Sequence, residues 1–380
     1  MKKNILNSLK QYFDPLFLFT SIFIITFGLL MLFSASTEIA YTNFNDPFYY
    51  IKKQIFFLII SFIFCISISH IRLSNIRKYS LILFIGSIII LLLLFIPELG
   101  KEVKGSRRWL KLYLFTIQPS ELVKLTFLVW LCSFLSLQNE KIKKFEYYII
   151  PFLYLLIPCT TILYFKDLGS IVIILFITLS LLWLANAKFF HILSTSFFGI
   201  FLIYVLIVFE PYRMKRMMTF LDPFADELDG GYQLSNSLTA IGDGGIFGKG
   251  LGGSSFKQFY LPEAHTDFIF AIIAEELGLF GSILMIFLFS ILIYKCFNLG
   301  SKALKLNLKF QGYLSYGIGL YFGFQSLLHM YVNVGMSPTK GLTLPFFSAG
   351  GSSYIVSFIS IYFVFKIYRE VYLATINTKF

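Results

Sequence analysis

Charge is scarce in this sequence. Asp, Glu, Lys and Arg make up 14% of its residues, whereas a soluble domain carries about 25%. Hydrophobic residues reach 57% and the mean hydropathy is +0.77, more apolar surface than a water-soluble core can hide. Apolar runs of roughly 18 residues or more recur, each long enough to cross about 30 Å of hydrocarbon. They are continuous, not alternating, which excludes a membrane β-barrel. The fold class is therefore all-α, a polytopic membrane protein. Cysteine is also sparse: Cys65, Cys132, Cys159 and Cys296 lie in or at the ends of apolar runs, with no CxxC spacing. They read as small buried hydrophobes, not as a disulfide framework or a metal set. Histidine numbers four, without an HExxH pair, and no serine sits in a nucleophile elbow. No metal ligand set is expected.

Acidic residues are outnumbered, and the net charge is +12. No aromatic-basic RNA motif accompanies the cations, so nucleic acid is not an expected partner. Lys and Arg instead cap membrane helices and face anionic headgroups. Lys2, Lys3 and Lys10 precede the first long apolar run, and no small-residue cleavage site follows. A retained first span is expected.

Ten spans are predicted, at about 16–36, 54–70, 79–96, 118–137, 148–165, 169–186, 192–210, 268–294, 313–334 and 351–368. They form a single transmembrane domain over 1–380, with a long loop, about 211–267, between spans seven and eight. The short connectors HIRLSNIRKYS, QNEKIKKFEYY and CFNLGSKALKLNLKFQ are basic and share the side of the termini, which makes that side cytoplasmic. The other polar segments then collect outside, and the inner loops leave no room for a catalytic domain. No internal repeat is visible, which weakens an inverted-repeat transporter reading.

The outer segments carry the chemistry. After span three, Lys104, Arg107, Arg108 and Lys111 surround Trp109. Two adjacent arginines suit a phosphate, and Trp109 equally suits an interfacial anchor. Glu121 and Lys124 follow at three-residue spacing, either a functional pair or an internal ion pair. In FKDLGS, Asp167 is either the N-cap of span six or a carboxylate facing an outer cavity. The long loop contains GKGLGG, which fits G-x-G-x-x-G, but no strand precedes it and no βαβ unit exists, so nucleotide binding fails its context. These glycines permit sharp turns or close helix packing. Arg213, Lys215 and Arg216 read as interfacial cations. In LPEAHTD, Glu263 and His265 flank Asp267, an ionisable group where an aqueous loop enters the bilayer, costly and usually functional. Glu275 lies within about 80° of Asp267 on a helical wheel, and Glu276 points nearly opposite, towards a helix–helix contact. Lys340 sits between Pro338 and Gly341 as a cation suited to a diphosphate.

KGSRRWL, QPSELVKL, DLGS, FLDPFAD, GYQLSNSLTAIGDGGIFGKGLG, LPEAHTDFIFAIIAEELG and PTKGLTLPFFSAGGSS together resemble the SEDS family (shape, elongation, division and sporulation), its division branch more than its elongation branch. Two departures stand out: Lys166 replaces a proline of the usual turn, and Ala349 a common tyrosine. The resemblance implies a peptidoglycan glycosyltransferase that polymerises lipid II on the outer face of the cytoplasmic membrane, at the division septum, beside a class B penicillin-binding protein and other division membrane proteins. An elongation polymerase, a lipid II flippase and a non-catalytic scaffold are the alternatives. It further implies that Asp267 is the catalytic base, and that Arg107, Arg108, Glu121, Lys124 and Lys340 contact substrate; the residues themselves add Trp109, Asp167, Glu263, His265 and Glu275 as candidate substrate contacts. No cofactor is fixed, though a divalent cation such as Mg²⁺ would suit two phosphates.

Overall fold

The computed structural model describes residues 13–103, 106–112, 115–225, 231–258 and 260–377; Lys104 lies outside them. The long N-terminal helix α1 (Pro15–Phe44) starts where Asp14 accepts from the backbone of Leu16 and Phe17, with Pro15 in the first turn. Such a cap satisfies amides that the helix leaves open. Helices α2 (Tyr49–Ser69), α3 (Leu73–Lys78) and α4 (Ser80–Leu92) follow.

The segment after α4 departs from an all-helical chain. It forms a small antiparallel sheet, β1 (Gly100–Val103), β2 (Ser106–Lys111) and β3 (Thr116–Ile117), in that order. Helices then resume with α5 (Pro119–Gln138), α6 (Phe145–Tyr148), α7 (Ile150–Tyr164), α8 (Leu168–Leu184) and α9 (Phe189–Val208). Two shorter helices, α10 (Pro211–Leu221) and α11 (Tyr232–Gly244), occupy the long loop before α12 (Ile269–Lys305), α13 (Lys309–Asn333) and α14 (Gly351–Asn377).

A helix covers each of the ten expected spans. Among the described residues, seven helices are long and apolar enough to cross a membrane, while Ser80–Phe95 and Leu168–Leu184 are apolar but shorter. The 25-residue α13 dilutes its apolar content with Gly, Tyr, Gln and His. The core is built where α5, α8, α12, α13 and α14 meet. Three quarters of the residues of α5 are buried, whereas α9 buries none of its side chains and stands at the rim.

Helix α12 runs for 37 residues but is broken at Gly278, with φ 65° and ψ −159°. An L-residue rarely adopts that conformation. The break strands backbone amides and carbonyls in apolar surroundings, where each costs several kcal/mol unless partnered. The glycine-rich loop after α11 supplies the partners. Leu279 and Phe280 donate to the carbonyls of Gly245 and Ile246, at 2.9 and 3.3 Å, while Lys249 and Gly250 donate to those of Glu275 and Glu276, at 3.0 and 2.9 Å. A Cβ on Gly248 would lie 2.2 Å from the Glu276 oxygen, so only glycine permits this approach. The GKGLGG stretch is thus part of a clamp on a broken helix.

Candidate active site

Asp267 sits just ahead of α12. Its backbone is pinned from two sides: its amide donates to the Glu263 carbonyl at 3.0 Å, and its carbonyl accepts from Asn333 Nδ2 at 3.0 Å. Asn333, at the end of α13, also accepts from the Ala271 amide at 3.1 Å. One amide side chain therefore fixes the first turn of α12 against α13.

The loop between α13 and α14 closes over this point. His329 Nδ1 donates to the Leu342 carbonyl at 2.7 Å, and Gln325 to the Thr343 carbonyl at 3.1 Å. Ser348 Oγ donates to the Thr266 carbonyl at 2.6 Å, and the Ala349 amide to that of His265 at 2.9 Å. The Ala349 contact is a backbone one, so the exchange of tyrosine for alanine leaves it intact. Gly341 is brought hard against Asp267: an ideal Cβ there would lie 3.2 Å from Asp267 Oδ2 and 3.8 Å from Arg108 Nη1.

Arg108 arrives by a different route. In the β1–β2 pairing, Lys101 faces Trp109 and Glu102 faces Arg107, so the register slips and Arg108 has no residue opposite it. Such a bulge re-aims a side chain. Arg108 turns to the α7–α8 turn, donating to the Lys166 carbonyl at 2.7 Å, to the Phe165 carbonyl at 3.3 Å and to Ser106 Oγ at 2.9 Å. Lys166 presents its carbonyl from a left-handed conformation, φ 62°, which proline's fixed φ forbids. The departure from the family turn thus reshapes the backbone under Arg108.

Asp167 meets its capping reading, while the cavity it faces is not lined by Asp267. It caps α8, accepting from the Ser170 amide at 3.3 Å, from Ser170 Oγ at 2.8 Å and from Ser120 Oγ at 3.0 Å. It also lines a cavity of about 310 Å³ together with Arg108, Lys166, Arg213, Arg216 and Lys340. Five cations and two carboxylates, Asp167 and Glu210, line this cavity. Arg216 donates to the Thr339 carbonyl at 2.8 Å, holding the residue before Lys340. Burial holds the Lys340 ammonium below the usual lysine pKa, because desolvation disfavours charge. Asp267 is not among the lining residues; it stands behind Gly341, which is.

Other site expectations are spread elsewhere. Arg107 turns away from Arg108 and pairs with Glu102 at 3.3 Å, with both side chains well exposed. Trp109 is half-buried on the same strand, outside the cavity lining. Glu121 and Lys124 form a buried ion pair at 2.7 Å. Lys124 also donates to Gln325 Oε1 at 3.1 Å, so the pair braces the Lys340 loop from behind. Glu263 accepts from Thr266 Oγ1 at 2.8 Å. With His265, whose ring packs 4.3 Å from that of Tyr50, it faces a second cavity of about 230 Å³. Glu275 is fully buried and held by Lys249 at 2.9 Å, by the Ser255 amide at 2.9 Å and by Ser254 Oγ. It serves the clamp at Gly278, away from the cation-lined cavity. Glu276 joins α12 to α1 through Ser34 at 2.7 Å and takes Lys257 at 2.8 Å.

Arg213 and Arg216, read from sequence as interfacial cations, line the cavity. Their i,i+3 spacing after Pro211, one face of a helix start, is the signal that could have placed them there. No group of three or more His, Cys, Asp or Glu is placed to hold a metal among the described residues. The cavity's donor set is cationic and does not fit a resident divalent ion.

A family model described as cell cycle protein, covering FtsW, RodA and SpoVE, matches residues 14–373. The chain belongs to this family. Within the FtsW/RodA/SpoVE proteins it is 39% identical over 343 residues to a protein of Nitrosococcus halophilus named "probable peptidoglycan glycosyltransferase FtsW", covering 90% of this chain and 89% of that one. A protein of the same name from Escherichia coli is 37% identical, over 94% of this chain and 86% of its own. Among solved structures, a chain of a peptidoglycan synthase complex that coordinates polymerization and crosslinking superposes with a TM-score of 0.78 at 25% identity, covering 95% of this chain and 98% of that one. RodA, the rod shape determining protein of Thermus thermophilus, matches at 0.70 and 24% identity, covering 94% and 97%, a likeness of fold.

Proposed function

We infer that this membrane protein is a peptidoglycan glycosyltransferase of the FtsW type, working in cell division, and that the cation-lined cavity beside Asp267 is its active site. Lipid II is the substrate, its disaccharide at Asp267 and its diphosphate among the cations. Both termini are cytoplasmic, and the cavity opens at the outer face near the septum. A class B penicillin-binding protein is the partner, with other division membrane proteins around it.

The observation that carries this reading is the meeting of Asp267 and Arg108 at Gly341, one residue from Lys340. The acceptor sugar's 4-hydroxyl attacks the anomeric carbon of the donor as Asp267 takes its proton, and undecaprenyl diphosphate leaves. General-base help of this kind contributes typically about 10²–10⁴-fold. As the bond breaks, negative charge grows on the diphosphate; fixed guanidinium and ammonium groups stabilise it without reorganising. An α-linked donor giving a β-linked strand requires inversion, which needs one base and a charged clamp.

The test is polymerisation of labelled lipid II by purified protein with its transpeptidase partner. Asp267→Ala and Asp267→Asn should abolish glycan formation while melting as wild type does. Full-length glycan from either variant would overturn the assignment.

A further inference from the structure

A third cavity lies at the opposite end of α12 from Asp267. Its volume is about 540 Å³, and it is walled by the start of α1, the last turns of α12 and the last turns of α14. That size is within the range of ligand pockets, about 300–1,000 Å³.

Three lysines of α12, Lys295, Lys302 and Lys305, line it. Their i, i+7, i+10 spacing sets them on one face of the helix. Lys295 is neutralised by Asp14, its Nζ 2.9 Å from Oδ2. Among the described residues, Lys302 and Lys305 carry no ion pair and Asp14 is the only carboxylate in the lining, which leaves two of the cavity's positive charges uncompensated by them. Lysines in a last helical turn also complement the helix dipole, but that accounts for neither the cavity nor its other walls. Tyr368 and Tyr372, from α14, bring phenol groups to it, and Leu299 and Val371 close its back. A basic, hydroxyl-bearing mouth over an apolar wall matches a phosphodiester joined to glycerol and acyl chains.

We propose that this cavity binds the headgroup of an anionic phospholipid, of the phosphatidylglycerol or cardiolipin class, in the leaflet at the end of the bundle that carries both termini. Basic pockets between helices on that side recognise such headgroups. The site is independent of the glycosyltransferase reaction. Bound lipid joins the two ends of the sequence to α12, because its phosphate meets α12 where α1 and α14 converge.

The probe is phosphatidylglycerol mixed equally with phosphatidylcholine in nanodiscs holding the full chain, with retained lipid counted by native mass spectrometry after detergent extraction. Wild type should retain phosphatidylglycerol in preference. Lys302→Gln/Lys305→Gln should lower that retention about thirtyfold, the scale set by two basic residues at an anionic surface. Lys141→Gln/Lys143→Gln, in another connector outside the cavity, should retain it. Equal retention of the two lipids by wild type overturns the proposal without recourse to any variant, as does an equal fall in both double variants. A parallel melt with inorganic phosphate separates the sources. A rise with phosphate alone, lost in Lys302→Gln/Lys305→Gln and unmatched by lipid retention, would make this a soluble-anion site and overturn the lipid assignment.

Discussion

Asp267 and Arg108 approach one another across Gly341, whose absent side chain leaves room for both: a Cβ there would meet Asp267 Oδ2 at 3.2 Å. Gly341→Ala forces the carboxylate or the loop to shift by a few tenths of an ångström. Misplacement of a catalytic group by about 1 Å costs on the order of 10²-fold. We therefore expect Gly341→Ala to lower lipid II polymerisation by about tenfold or more with little change in melting temperature. An alanine variant as active as wild type would show that the loop gives way freely.

The two adjacent arginines should separate cleanly. Arg107 makes an exposed pair with Glu102, and such pairs contribute about 0–1 kcal/mol. Arg107→Ala should leave polymerisation within about threefold of wild type. Arg108→Ala removes a guanidinium from the cavity and should reduce it by about 10²-fold or more, on the scale of losing one fixed donor to a developing anion. Equal losses in the two variants would refute the division of labour imposed by the bulge.

Lys340 makes activity sensitive to alkaline pH. Its ammonium is destabilised by burial, below the ordinary 10.5. The unfolded chain thus holds this proton to higher pH than the folded one. Between the two values the folded state gains stability as pH rises. Donor binding moves the other way, because the diphosphate needs the charged form. KM for lipid II should therefore rise as pH climbs through the lowered pKa. Lys340→Arg, which keeps its charge, should flatten that alkaline limb; an unchanged limb would assign it to another group.

The buried pair Lys257–Glu276 offers a stability test. Their side chains are 5% and 0% exposed. Removing one partner from such a pair costs about 3–5 kcal/mol. Lys257→Met should lower the melting temperature markedly in detergent, and Lys257→Met/Glu276→Leu should recover most of the loss.

The turn at Lys166 has a conformational role besides the charge it brings to the cavity. Lys166→Gly suits φ 62° and should keep the turn while losing one cation, whereas Lys166→Pro cannot adopt it and should also lose the carbonyl that seats Arg108. Thermal unfolding and polymerisation, measured together, separate loss of the fold from loss of the site.

The helices were legible because continuous apolar runs have one stable form in lipid. The sheet was not, since Ser106–Lys111 carries no clear alternation and its bulge depends on a pairing partner. At the site, Asp267 stood out as a costly charge at a membrane boundary, Arg108 and Lys340 as cations suited to phosphate, and Asp167 as a cap or a cavity carboxylate. Glu275 stood out by its place on the helical wheel, yet its charge is spent on Lys249 and Ser254. A helical wheel places a side chain on a face but does not name what covers that face. Asn333, His329 and Gln325 were missed because their work is to hold backbone across helices distant in sequence. Arg213 and Arg216 were missed because an interfacial cation and a cavity cation look alike until their i,i+3 spacing after Pro211 is taken as one helix face.

The break at Gly278 ties both parts of α12 to one loop. The stretch from Ile269 to Leu277, which follows directly from Asp267, is fastened to the long loop by the backbone bonds of Lys249 and Gly250 and by two ion pairs. The same loop also accepts from the amides of Leu279 and Phe280 beyond the break. A push or pull on the loop would therefore reach the segment behind the carboxylate and the shaft of α12 together.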